Sequence, residues 1–206
     1  MRLGSAQTCA RYARWVTVVL IGIVGSARIA WAKPTAYALD PTQSTLRIHG
    51  HATWHDFIGT THTLQGRLLF DPDLNALIKP AWVTVPVASL TTGNARRDQA
   101  MRAMFETDRY PEIRFVLMHL TLISGQTAQT AAVRRYRMDG HVRVRAITRP
   151  ITFEIEARFS ADGIDVVGEA PLTTAMFELH PPSVAGLIRV HPDVQVRFIS
   201  RWKPHP

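Results

Sequence analysis

Four histidines in one short stretch, His49, His51, His55 and His62, are the side chains best suited by type to do chemistry. His49 and His51 stand two apart, so on a strand their imidazoles share one face, and neutral imidazoles at that spacing can chelate zinc or copper. Polar positions on a solvated strand face give the same pattern with no metal at all. No His-Glu-x-x-His helix and no acidic partner segment accompanies them, so no metal site is assigned and metal binding stands only as an alternative. Nucleophilic hydrolysis has less support, because there is no Gly-x-Ser-x-Gly elbow. Glu154 and Glu156 form the nearest thing to a carboxylate pair, but they share one strand face where pairing with arginine is the default. Phosphate-cradling glycine loops are absent. The expectation is a protein with no catalytic residues, not an enzyme.

The elements that carry these residues alternate with period two. Ile151, Phe153, Ile155, Ala157 and Phe159 interleave with Thr152, Glu154, Glu156 and Arg158, which gives one apolar and one charged face. Val142, Val144 and Ala146 alternate in the same way with His141, Arg143 and Arg145. Between the two runs, Ile147-Thr148-Arg149-Pro150 reads as the turn of a hairpin. A turn centred on Thr148-Arg149 places Arg143 opposite Glu154 and His141 near Glu156. Further strands are expected over Ser44–His51, His62–Phe70, Trp82–Leu90, Ile113–Ile123, Tyr136–Ala146, Gly163–Leu172 and Asp193–Trp202.

One segment departs from this pattern. Asn94 can cap a short helix over Ala95–Phe105, with Ala100, Met101, Met104 and Phe105 on one face and Arg96, Arg97, Asp98 and Arg102 largely on the other. His180-Pro181-Pro182-Ser183 cannot be a central strand. No linker or repeat divides residues 37–203. The fold class is therefore mainly β, a single antiparallel barrel with one short helix. Several strands are long enough to bend across both halves of a barrel, which favours it over a sandwich.

Met1–Ala32 reads as a secretory signal: Arg2, Arg11 and Arg14 precede the apolar run Trp15–Gly25, and Ala30-Trp31-Ala32 is a small-x-small cleavage site. The expected division is a signal at 1–32 and a barrel domain at 33–206, with a periplasmic or secreted location. Cleavage near Ala32 removes four arginines. The mature chain then has 20 Lys+Arg against 16 Asp+Glu, a net charge of +4 where the full chain has +8. That balance undercuts a nucleic-acid reading based on bulk charge, and it is compatible with peripheral contact at an anionic membrane. The single cysteine, Cys9, lies within the signal. Disulfides, Cys-ligated metal and thiol nucleophiles are thus excluded from the mature domain, whose stability must come from its apolar core.

Arg134, Arg135, Arg137, Arg143, Arg145 and Arg149 make one region arginine-rich. Single-stranded nucleic acid would also need aromatic platforms in the exposed register, where Arg143 and Arg145 instead alternate with valine, so no nucleic-acid partner is expected. The aromatics belong to the apolar inventory, in which Trp54, Phe57, Phe70, Trp82, Phe115, Phe153, Phe159, Phe177 and Phe198 fall in or beside strands. A closed barrel of about eight strands is either filled by such side chains or wide enough to hold one small ligand, and alternation is identical in the two cases.

Several segments, in order, resemble the YceI-like family of exported lipid-binding proteins. They are Tyr37-Ala38-Leu39-Asp40 with Ser44-Thr45-Leu46, Trp54-His55-Asp56-Phe57 with Leu64-Gln65-Gly66, and Val85-Pro86-Val87-Ala88-Ser89-Leu90 followed by Gly93-Asn94 and Arg97-Asp98-Gln99-Ala100-Met101. Tyr110-Pro111-Glu112-Ile113-Arg114-Phe115 is the most characteristic, supported by Tyr136–Gly140 and by the run from Val142 to Ile151. The resemblance implies a lipocalin-like barrel whose long cavity holds a polyisoprenoid such as a quinone or its precursor. It also implies a role in transport, storage or stress response. Two positions depart from the family pattern. Ala146 stands where glycine is common in the turn, and Thr174-Ala175-Met176-Phe177-Glu178 replaces the usual Arg-x-x-Phe-Gly.

The leading expectation is a binding protein that keeps an apolar lipid in its barrel, with no cofactor beyond that lipid. The cavity residues are Phe70, Trp82, Phe115, Phe153, Phe159 and Phe198, with Phe177 near a mouth. The alternative is a filled barrel that meets an envelope partner or an anionic membrane through Arg143 and Arg145. The sequence leaves the oligomeric state open, a homodimer included.

Overall fold

The computed structural model describes residues 34–52, 56–71, 74–125, 133–181 and 190–205. All of them belong to the unit that runs from Ala32 to Pro206. The expected signal at 1–32, and with it Cys9, lies outside the described residues, as do Trp54, His55, Pro182 and Ser183.

Nine strands and one helix make up the described chain. In order they are β1 (Thr35–Ala52), β2 (Asp56–Thr61), β3 (Gln65–Asp71), β4 (Ala76–Pro86), α1 (Ala95–Met104), β5 (Glu112–Gly125), β6 (Val133–Val144), β7 (Ile147–Ser160), β8 (Gly163–Thr173) and β9 (Val190–Pro204). Neighbours pair antiparallel from β3 through β9, and β9 returns to β1. The first half of β1 pairs with β3 from Thr35↔Phe70 to Ala38↔Arg67, and its second half pairs with β2 from Leu46↔Thr61 to His51↔Asp56. The result is a closed barrel of eight strands, with β2 set beside the far half of β1. Closure leaves few free edges, which suits a chain with no cysteine in its folded domain.

Turns alternate between two ends of the barrel. The β3–β4, β5–β6 and β7–β8 connections lie at one end, and α1, the short helical turn Thr174–Phe177 and the β6–β7 turn lie at the other. The inward alternation of β7 holds as expected, with Phe153, Ile155 and Ala157 buried between exposed Thr152, Glu154, Glu156 and Arg158. The hairpin register does not. Its turn is Arg145-Ala146, so Val144 pairs with Ile147, Arg143 with Thr148 and His141 with Pro150. Arg143 and Glu154 both face outward, but Arg143 instead approaches Glu112 (3.6 Å) and Glu154 binds Arg135 (2.9 Å). Arg145 takes the left-handed conformation the tight turn needs (φ 56°) and pairs with Glu106. Ala146 is not at positive φ, so the turn does not require glycine there. Pro150 continues the strand because β8 first pairs with β7 at Ile155, which leaves the proline no ladder bond to break on that side.

α1 forms as its sequence predicts. Asn94 is extended (φ −128°, ψ 110°), and its side-chain oxygen accepts from the Arg97 N–H at 3.1 Å. Ala100, Met101, Met104 and Phe105 face the barrel. The main apolar cluster lines the body of the barrel, and a second one, with Val87, Phe105, Val142, Val144, Phe177 and Leu179, lies at the α1 end.

Candidate functional site

The barrel interior is not filled. It contains a cavity of about 340 Å³ that runs from the α1 end toward the opposite end, with a lining of almost pure hydrocarbon. This volume lies within the range of small-molecule sites.

Aromatic rings divide its length. At the end away from α1, Phe70 stacks on Phe159 (centroids 5.5 Å apart) and Tyr136 meets Phe159 edge-on at 6.4 Å. The Arg134 guanidinium lies 4.6 Å from the Phe159 centroid, and the Tyr136 hydroxyl donates to Asn75 Oδ1 at 3.1 Å. Burial pushes the Tyr136 phenol above its ordinary pKa, so it stays protonated and able to donate. Midway, Phe153 contacts Phe115 (5.7 Å) and Phe198 (5.9 Å). Two glycines let these rings lie flat against the wall. A Cβ at Gly168 would come within 2.5 Å of the Phe198 ring, and one at Gly140 within 2.5 Å of the Phe115 ring and the Val116 carbonyl. The rings thus occupy space that side chains on the adjacent strands have vacated, and the centre stays open.

The seven residues expected at the cavity, Phe70, Trp82, Phe115, Phe153, Phe159, Phe177 and Phe198, all border it. Trp82 differs in register. It pairs with Arg67 and Val116 on the outward alternation, and the Arg114 guanidinium lies 5.4 Å from its ring. Phe177 is buried in the short helical turn at the α1 end, where Glu178 adopts the left-handed conformation (φ 51°) that glycine would take without strain. Thr174 also borders the cavity, so the departure from Arg-x-x-Phe-Gly changes the lining itself.

Two residues expected on the solvent face of α1 are turned inward. Asp98 is only 7% exposed and Arg97 borders the cavity. The Thr91-Thr92 loop folds over them. Asp98 accepts from the Thr91 hydroxyl (2.7 Å), the Thr92 hydroxyl (2.5 Å) and the Thr92 N–H (2.8 Å). Burial alone would raise the Asp98 pKa, but hydrogen bonds from Thr92 and Thr91 outweigh it and hold the carboxyl below its ordinary value. The two hydroxyl residues Thr91 and Thr92, separated from the helix cap by Gly93, are the sequence signal that could have shown this.

The other chemically capable residues do not converge. His51 Nδ1 lies 2.8 Å from Asp56 Oδ1 with both side chains exposed, and His62 Nδ1 lies 3.1 Å from Thr45 Oγ1. His49 sits on the outer wall beside Arg47, and among the described residues no three His, Cys, Asp or Glu side chains gather as a metal site would need. Ser200 and Lys203 stand three apart on β9, so they project to opposite faces. Ser200 Oγ accepts from the Trp202 indole at 3.1 Å, while Lys203 pairs with Asp40 at 2.7 Å. The cavity can hold an apolar chain.

Solved structures share this architecture. BcnA of Burkholderia cenocepacia superposes with a TM-score of 0.68 at 17% identity, covering 79% of this chain and 98% of that one. A polyisoprenoid binding domain from Saccharophagus degradans gives 0.69 at 19% identity, with 83% and 99% covered. The YCEI protein of Campylobacter jejuni gives 0.53 at 18%, with 72% and 84% covered. In sequence, a UPF0312 protein of Photorhabdus laumondii is 27% identical over 108 residues, so the chain spans about half the length of that curated relative. The YceI-like domain model matches residues 37–199, nearly the whole barrel. The chain belongs to the YceI-like family.

Proposed function

We propose that the protein is an exported carrier for a long apolar lipid of the polyisoprenoid class, held inside the barrel as unreacted cargo. The observation that carries this reading is the open, hydrocarbon-lined cavity. Support comes from family membership and from the Saccharophagus neighbour, which is described as a polyisoprenoid binding domain. In this reading Phe70, Phe115, Phe153, Phe159, Phe177 and Phe198 contact the chain. Each buried CH₂ contributes about 0.8 kcal/mol. Fifteen or so methylene equivalents would gain roughly 12 kcal/mol, and after a loss of about 4 kcal/mol to association roughly 8 kcal/mol remains, a complex of about micromolar affinity. Affinity of this kind needs no metal or cofactor.

The arginine-rich face gives less support to the alternative of partner or membrane binding, because Arg143 and Arg145 already have Glu112 and Glu106 as partners. Export, and with it transport or storage of the lipid in the envelope, is part of this proposal and rests on the signal expected at 1–32. Titration of the purified protein with a polyprenol, followed through its tryptophans, tests the reading. Trp202 borders the cavity, so saturable one-to-one quenching is expected, and fluorescence that stays flat through millimolar lipid in detergent-free buffer would contradict it.

A further inference from the structure

Arg97 is the one charged side chain among the described residues that border the cavity; its other polar groups are hydroxyls and indole N–H groups. Placing a guanidinium beside hydrocarbon is unfavourable unless something there meets its charge. Its position is fixed. Nε donates to Thr92 Oγ1 at 2.8 Å, Nη2 donates to the Thr92 carbonyl at 3.2 Å, and the guanidinium carbon lies 5.3 Å from the Phe57 ring centroid. Phe57 itself borders the cavity. The nearest acid in sequence, Asp98, is already taken up by the hydroxyls and N–H of Thr91 and Thr92. Among the described residues no carboxylate forms an ion pair with Arg97. Neither bond to Thr92 uses Nη1.

The geometry points to a lipid with an anionic head group, a carboxylate or a phosphate, whose oxygens Arg97 binds at the α1 end while the chain extends toward the Phe70–Phe159 stack. A planar guanidinium with one edge held and the other free is suited to such oxygens. This inference rests on the lipid-carrier reading and adds the chemistry of the ligand's end and the residue that selects it.

The test uses the purified protein and three probes of one chain length: hexadecanol, palmitate and hexadecyl phosphate, titrated at pH 8. Palmitate, hexadecyl phosphate or both should bind about tenfold or more tightly than hexadecanol, and the preference should weaken as salt rises. The order of the two anions identifies which head is favoured. Arg97→Gln should bring the preferred anion to within about twofold of the alcohol, with a far smaller change in hexadecanol affinity than in anion affinity, and Arg97→Lys should restore part of the preference. A far-UV circular dichroism spectrum and urea midpoint matching those of the unmodified protein show that the variant is folded. Equal binding of all three probes by the unmodified protein, or a preference that survives in Arg97→Gln, overturns the inference and leaves the carrier reading standing. Failure of every probe to bind overturns both.

Discussion

Ala170 offers a way to distinguish a hollow barrel from a packed one by the sign of a stability change. It lies on β8, is 5% exposed, borders the cavity and pairs with Val196 on β9. Replacing it with phenylalanine sends a ring into the interior. In a packed core such overfilling costs about 1–3 kcal/mol. In an open lumen the ring instead fills empty space, and at about 24 cal/mol per Å³ of cavity, occupation of roughly 100 Å³ could add up to about 2 kcal/mol. The same ring removes room for about four methylene groups, a loss of roughly 3 kcal/mol or a hundredfold in lipid affinity. Urea unfolding followed by far-UV circular dichroism gives the first quantity and lipid titration the second. Ala170→Phe should keep or raise the unfolding midpoint of the lipid-free protein and nearly abolish binding. A midpoint lowered by more than 2 kcal/mol at constant slope, with lipid affinity intact, would refute the hollow interior.

Other consequences concern the frame that holds the cavity. Gly163 in the β7–β8 turn has φ +148°, and a Cβ there would run into the Trp202 carbonyl; Gly163→Ala should therefore destabilise by about 2–4 kcal/mol in urea unfolding. Asn94→Ala removes the cap of α1 and should cost about 1 kcal/mol, measured in the same way. Acid should weaken the fold in a defined window. Asp40 is lowered to about 2, chiefly by its hydrogen bond from Lys203 and then by Thr42. Asp162 is lowered by Ser160 and Arg201, and Asp98 is lowered although burial opposes it. Carboxyls with depressed folded pKa values stabilise fully above their unfolded value, and that contribution is lost as pH falls through the folded one. The urea midpoint should accordingly be level above about pH 5 and drop between pH 4 and 2; a midpoint that does not fall by pH 3 would contradict these assignments.

What the sequence revealed of this fold, and what it concealed, divides along physical lines. Strands with one face in the core and one in solvent, such as β7, show themselves by alternation. α1 shows itself by Asn94 and by four apolar residues at helical spacing. The β6–β7 turn was hidden because it rests on an arginine at positive φ, a conformation that residue type does not advertise, while Pro150 invited a break one turn too late. β4 starts at Ala76 although Pro80 interrupts its pattern, because the pairing with β3 shifts around the proline, from Arg67↔Trp82 to Leu69↔Lys79. β2 has only six residues of mixed polarity, which gives no clear alternation, and it is held by pairing with the second half of β1. At the cavity, the large aromatics were legible as apolar strand residues. The open centre was not, because it depends on Gly140 and Gly168 lying beneath Phe115 and Phe198, a relation between strands distant in sequence. The inward turn of Arg97 and Asp98 was masked for a similar reason, since helical spacing alone put them outside and the Thr91-Thr92 loop covers that face.

Native mass spectrometry of the protein purified from its own host, in the absence of added lipid, tests the central claim most directly. The carrier reading predicts a mass excess equal to one apolar lipid per chain, released on denaturation and missing from Ala170→Phe. A folded protein that carries no extra mass from its own host, with the same bare spectrum for the variant, would contradict it.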